Sequence, residues 1–318
     1  MKTNVLGILC LLLLISSCSD DQKDYVIEPE QNLFSPKITA LVNDEQGYSP
    51  LTGVLDAYPC NSGGSVYFGN YVNGKQTPFN GHYTIVDGHV SGENNLVLNL
   101  PEGAYNIVYW ATPKYEEPIY STPAISEPGV TVGADLSKLY FKLRANEDGT
   151  YMPVFDMVHA VHETDTEADF EAQLERVVAG LKVIVRNEDN GIFSSDILKM
   201  QILVHDIAES LNAYTAEPEN KTKTVKFDLV RAEDGTSMSN ATVMLFPSAD
   251  MPSLDLIITT QDGKEHKLTK QLQTTLEANT RLTLNIVLGK ILPEGNTGNF
   301  TIQNWKEASE TIYFSGKE

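Results

Sequence analysis

Cys18 is the residue whose surroundings commit it most firmly to one reaction. It follows Ile15-Ser16-Ser17, an aliphatic residue and two small ones, behind Met1-Lys2 and the apolar run Val5–Ile15. Small residues let a signal peptidase reach the backbone, and the thiol accepts a diacylglycerol. The apolar run has the length of a signal-peptide core and is too short to cross a bilayer, which takes ~20 residues. Residues 1–17 are therefore expected to be a lipoprotein signal peptide, with Cys18 the lipid-attachment site. An ordinary secretory signal with an incidental cysteine is the alternative. Ser19, Asp20 and Asp21 then open a polar stretch, residues 18–35, that lacks apolar periodicity and reads as a flexible acidic tether.

The densest polar cluster is Asp156-Met157-Val158-His159-Ala160-Val161-His162-Glu163, with Asp165 beyond. On a helix, His159 and His162 would share a face and could hold zinc. In a strand they point to opposite faces. The His-Glu-x-x-His order of a metalloprotease is missing, and so are the nucleophile elbow, the phosphate loop and the dinucleotide fingerprint. Asn187-Glu188-Asp189-Asn190 lacks the alternating acids and terminal glutamate of a calcium loop and reads as a solvated turn. His205-Asp206, His82, His89 and His266 have no spacing that argues for a site. Carboxylates are too many for any glycosidase pair to stand out. The expectation is no catalytic residue, no metal and no cofactor. Aromatic clusters at Tyr67-Phe68-Tyr71, Tyr105-Tyr109-Trp110 and Tyr115-Tyr120 would stack on sugar rings if exposed, or fill a core if buried. Strand alternation puts Tyr105, Ile107 and Tyr109 on one face and favours the core.

A formal charge of −20 and a pI near 4.6 argue against nucleic acid as a partner, since its phosphates would be repelled. Of three cysteines, Cys10 leaves with the signal and Cys18 is acylated. Cys60 then has no intrachain partner, so the fold must hold without a disulfide. No second apolar run reaches spanning length, which leaves the lipid as the expected membrane attachment.

What must position these residues is β-structure. Leu96-Leu98-Leu100, Leu139-Phe141-Leu143, Val225-Phe227-Leu229, Leu254-Leu256-Ile258 and Leu282-Leu284-Ile286-Leu288 all alternate with a period of two. Turn signals such as Asn73-Gly74, Asp87-Gly88, Asp234-Gly235 and Asp262-Gly263 separate them. Many short amphipathic strands without long helices predict an all-β chain of antiparallel sandwiches. The segment 168–181 fits both a helix face and, from Val177, a strand; we expect a short helical or irregular lead-in at 167–173 and a strand to Arg186. The polar stretch His162–Asp169 predicts a linker, with the boundary near Thr166. The expected domains are thus 36–166 and 167–318, each of ordinary size.

The segment ending Leu100-Pro101-Glu102-Gly103-Ala104-Tyr105 and running on to Trp110 resembles the Leu-Pro-x-Gly-x-Tyr-x-x-x-x-Trp strand of the fimbrillin superfamily, which builds the type V pili of Bacteroidales. Val154–His159 is similar to that family's closing strand of the first domain, and Leu174–Val183 to the opening strand of the second. Phe300-Thr301-Ile302-Gln303-Asn304-Trp305 is similar to its terminal Ile-x-x-Trp element. The resemblance implies two tandem transthyretin-like antiparallel β-sandwich domains. Within the superfamily the chain looks most like the fimbrial anchor subunits, lipoproteins that fix the fibre base to the outer membrane and limit its length. Ser19, Asp20 and Asp21 resemble the export signal that takes Bacteroidetes lipoproteins to the cell surface; a plain hydrophilic tether is the alternative.

Stalk subunits of such fibres lose their first strand to an arginine-specific protease, opening a groove for a neighbour's strand. The first arginine here is Arg144, so cleavage could not release a first strand alone. Lys23 and Lys37 would be sites for a protease of other specificity. The expected protein is a non-enzymatic anchor in the outer membrane, joined to stalk subunits by strand complementation. A surface glycan-binding lipoprotein of a polysaccharide-uptake system is the runner-up.

Overall fold

Alternating apolar residues make this chain a set of two-faced ribbons, and the computed structural model pairs them into two large sheets. It describes residues 32–44, 47–114, 120–289 and the strand Glu307–Ala308. Cys18, Ser19, Asp20, Asp21, Tyr115 and the Phe300–Trp305 element lie outside the described residues. The principal strands are β1 (Ile38–Asp44), β2 (Gly53–Asn61), β3 (Gly81–Val86), β4 (Ala104–Pro113), β5 (Val158–Asp165) and β6 (Phe170–Arg176). They continue with β7 (Ala179–Asn187), β8 (Ile197–Asn212), β9 (Pro218–Arg231), β10 (Ser253–Thr260), β11 (Glu265–Gln271) and β12 (Arg281–Leu288).

The first sheet runs β6-β5-β4-β2-β3, then the short strand His89–Val90, then β1. Parallel pairing of β1 with β6, from Ile38↔Phe170 to Val42↔Leu174, returns the order to its start. The sheet therefore closes on itself, which removes the free edge an open sandwich would keep. Ile38, Ala40, Leu55, Tyr83, Ile107 and Phe170 meet inside it. The second sheet centres on β8, hydrogen-bonded to β9 on one side and β10 on the other, with β11 beyond β10. Its other layer pairs β7 with β12 in parallel. One apolar cluster unites the inward residues of both layers, among them Val183, Ile202, Phe227, Leu256 and Leu284. The all-β class and the two sandwich-like bodies are as expected.

Thr166, near which the boundary was expected, lies between two paired strands of the first sheet. That residue sits in the β5–β6 turn, its hydroxyl accepting from the Gly103 amide at 3.0 Å. The stretch expected to be a helical or irregular lead-in enters the strand β6 at Phe170, and Phe170, Ala172 and Leu174 are buried in the first core. The change of sheet comes at Val177 and Val178, two consecutive buried residues that reverse the phase of the alternation. The connection from β4 to β5 also crosses over. Tyr140–Leu143 pairs with β8, and Val154 bridges Met244, so this part of the expected first domain, Arg144 included, belongs to the second sheet. Leu33 and Phe34, assigned to the tether, pair with Pro101 and Leu100.

Candidate functional site

The feature bearing most directly on strand exchange is the position of β1. Ile38, Ala40 and Val42 point inward and are buried, and the two larger ones each contribute about 1.5–3 kcal/mol by burial. Both long edges of the strand are occupied. One meets β6; the other meets Gly47–Pro50, from Leu41↔Pro50 to Asp44↔Gly47, and His89. The Phe170 amide donates to the Lys37 carbonyl at 2.8 Å, Leu51 to Ala40 at 2.9 Å, and Ala40 to Gly88 at 2.9 Å. Outside the sheet, Asn43 donates to both oxygens of Glu175, at 3.0 and 2.9 Å, and Tyr48 to one of them at 2.7 Å. Lys37 is exposed at the strand's start; Lys23 lies outside the described residues.

The strand of the Leu-Pro-x-Gly-x-Tyr pattern, β4, is buried on both faces. Tyr105, Ile107, Tyr109 and Ala111 enter the closed sheet's core. Val108 and Trp110 enter the other cluster. The Trp110 indole donates to the Ala213 carbonyl at 2.9 Å and lies 4.5 Å from the Phe141 ring and 4.6 Å from His159, centre to centre. Asn106 reaches the Tyr214 hydroxyl at 3.1 Å. The β8–β9 turn is thus docked onto the motif strand. As expected, the aromatics on β4 are core, and Tyr67 is buried too. Sugar stacking would need them exposed.

His159 and His162 sit on β5 with opposite outlooks, as strand geometry requires: His159 is buried and His162 exposed. Burial holds His159 down at about 4, against the raising effect of a hydrogen bond with the Tyr214 backbone. It is a neutral ring in the interface, with no polar partner at Nε2. Among the described residues no three His, Cys, Asp or Glu side chains stand close enough to share a metal ion. Cys60, the free cysteine, is buried, and that burial, with Asp135 nearby, pushes its thiol up to about 12.

Two polar arrangements went unread in the sequence. Asp156 and Arg176 form a bidentate ion pair, Nε–Oδ1 and Nη2–Oδ2 both 2.8 Å, almost wholly out of solvent. It ties the Val154–His159 segment to the end of β6, the two stretches singled out by family resemblance. The second gathers four strands around Asp255. That carboxylate accepts from Lys267 at 2.7 Å and Thr269 at 2.6 Å, and bonds His205 Nε2 at 2.7 Å. His205 Nδ1 meets Thr224 at 2.8 Å. Burial raises the Asp255 carboxyl, but the bonds from Lys267, Thr269 and His205 outweigh it and hold it below its usual value. All its partners are engaged, so it braces the sheet and offers no free nucleophile. The available signal was a lone charge in the apolar run Leu254–Ile258.

The family model described as fimbrillin-A associated anchor proteins Mfa1 and Mfa2 matches residues 34–311. The chain belongs to that family. No curated protein sequence matches it. Among solved structures, this anchor-family chain is similar to a Bacteroides thetaiotaomicron protein provisionally described as polysaccharide-binding, at 10% identity and a TM-score of 0.53, covering 89% of this chain and 98% of the other. It is similar also to a Bacteroides ovatus protein provisionally described as an adhesin, at 11% identity and a TM-score of 0.50, covering 80% and 90%. The fimbrial anchor protein Mfa2 of Porphyromonas gingivalis matches at 10% identity and a TM-score of 0.43, covering 88% and 97%. At these identities the first two structures speak to the fold alone.

Proposed function

We propose that this member of the anchor family is the non-enzymatic base subunit of a fimbrium, lipidated at Cys18, held on the outer face of the outer membrane, and a terminator of fibre growth. One observation carries the reading: β1 is hydrogen-bonded along both edges inside a closed sheet. A fibre joined by inserted strands gains a ladder of backbone hydrogen bonds and side-chain burial at each junction. Growth stops at a subunit whose groove is already filled, and a retained β1 fills it. The acyl chains of a lipoprotein, being several, then hold the base firmly where one would bind only marginally.

Deleting the gene should give longer fibres that are shed into the medium while stalk polymerisation continues. Electron microscopy of cells and culture supernatant reads both. Unchanged fibre length and attachment, or mature protein that begins after Val42, would refute the terminator role. If the deletion instead impairs growth on one polysaccharide and the purified protein binds that glycan, the sugar-binding reading replaces it.

Lipidation has its own test. Cys18→Ala should abolish labelled-palmitate incorporation and remove the protein from the membrane fraction. Asp20→Ala/Asp21→Ala should shield it from protease added to intact cells. A Cys18→Ala protein that still labels ends the lipid assignment, and equal protease access in the acidic-pair variant reduces that pair to tether.

A further inference from the structure

The circuit of the first sheet is held at one place by a short contact. β5 and β6 pair only at Val158↔Arg176 and His159↔Glu175. Beyond that point β5 stays with β4 as far as Asp165, while β6 goes over to β1. Among the described residues, Ala160–Asp165 therefore have a partner strand on one side alone.

Register decides which backbone groups are left over. The Thr166 amide donates to the Gly103 carbonyl at 3.1 Å, so even-numbered residues of β5 turn their N–H and C=O toward β4. Odd-numbered residues turn theirs the other way. There the Val177 amide donates to the Met157 carbonyl at 3.0 Å, and His159 pairs with Glu175. Val161 and Glu163 come next on that edge, both exposed and with no strand beside them among the described residues. A strand laid along them would gain about four backbone hydrogen bonds.

Beside this edge lies a cleft of about 680 Å³, lined by Val161, Glu175, Glu217, Asp250 and Glu277. Of the two cations in its wall, Lys221 and Arg176, the second is spent on Asp156. Glu163, Asp165, Glu167, Asp169 and Glu171 carry the acidic surface on around the hairpin, all exposed. None of these carboxylates is in an ion pair among the described residues. His159, on the same outward row as Val161, also lines the cleft, is 8% exposed and keeps Nε2 without a partner. A lone pair there favours a donor. A second copy of this chain would bring the same acids to the same edge and be repelled, whereas a cationic strand is drawn in.

We propose that the free stretch of β5 binds an extended lysine- or arginine-bearing segment of another protein. The segment adds as an antiparallel strand beside Val161 and Glu163, as β6 does at His159, with its basic side chains over the acidic cleft. This edge is separate from those of β1, on which the terminator role rests.

A fluorescent peptide, Thr-Lys-Val-Lys-Val-Lys-Thr, titrated into the purified mature protein tests it by anisotropy. It should bind at least about tenfold more tightly than the same peptide with glutamate for lysine. In the proposed register the lysine amides point at β5 and the valine amides away from it. Backbone N-methylation of the lysines should therefore weaken binding at least about tenfold at unchanged charge, and N-methylation of the valines should not. Val161→Pro removes an N–H from the free edge and leaves the β4 ladder whole, so it should cost a similar factor. Should that variant not fold, the two methylated peptides decide the matter on the unmodified protein. Hydrogen exchange at the Val161 and Glu163 amides should slow at least about tenfold when the peptide saturates. No binding at about 1 mM peptide, equal affinity of the lysine and glutamate peptides, or equal effects of the two methylation patterns would each overturn the proposal. So would binding unchanged in a folded Val161→Pro protein, or amides at Val161 and Glu163 that the peptide does not protect.

Discussion

Arg176→Ala should lower the stability of this protein by about 3–5 kcal/mol, because it leaves the Asp156 carboxylate buried without its partner. The pair is bidentate and almost wholly out of solvent, so water cannot take over the lost hydrogen bonds. For a chain of this size that corresponds to a fall of roughly 10 °C in Tm. The position magnifies the effect. Asp156 precedes β5 and Arg176 ends β6, three residues before the chain enters the second sheet. The harm comes from the stranded charge and not from a missing contact. Asp156→Leu/Arg176→Met should therefore recover most of the loss, since an apolar pair of similar volume replaces a buried ion pair at little cost. Urea unfolding of the three proteins decides it. A single variant costing less than ~1 kcal/mol, or a double variant no better than the single, would show that the pair is not what holds this junction.

The second large effect is on acid stability. His159 is held near 4 when folded, against an ordinary value of 6.5, chiefly because burial disfavours its charged form. The folded pKa is the lower one. As pH falls through 6.5, the unfolded chain takes up a proton that the folded chain refuses, and stability drops until about pH 4. The full loss is about 3 kcal/mol. It begins above the range where carboxylates such as Glu209, also held low, start to contribute. His159→Phe keeps a ring against Trp110 and cannot titrate. Between pH 6.5 and 4.5 its stability should fall less steeply than that of the wild type. Identical slopes for the two proteins would show that His159 is not the group responsible.

The sequence made the strands legible because their periodicity is local. β7, β9, β10 and β12 could be read from every second residue, and the opposite outlooks of His159 and His162 follow once β5 is a strand. The point where the chain changes sheet was hidden for a physical reason. A polar stretch such as His162–Asp169 marks solvent exposure, and a hairpin turn is as exposed as a linker. The real marker was the phase reversal at Val177–Val178, from even-numbered to odd-numbered apolar residues, since a strand changing cores must turn over. The crossing of Tyr140–Leu143 to β8 left no local trace, because an edge strand reads alike whichever sheet it joins. Asp156–Arg176 was equally unreadable, and the lone charge of Asp255 in an apolar run named none of its partners. Their partners lie on different strands, and only the sheet's register brings them together.

The parallel pairing of β1 with β6 has a mechanical meaning under the proposed attachment through Cys18. A pull from the N-terminal side that has peeled Leu33–Phe34 from Leu100–Pro101 reaches Ile38, the start of β1. β6 runs in the same direction and passes the chain on to β7 from its far end. Force that enters at the head of one strand and leaves at the tail of its parallel neighbour slides the two past each other. All the hydrogen bonds between Ile38–Val42 and Phe170–Leu174 are then strained together. An antiparallel hairpin pulled from its open end would lose them one at a time, at a much lower force. The pairing that closes the first sheet is thus oriented as a shear clamp against a pull on the chain ahead of Ile38.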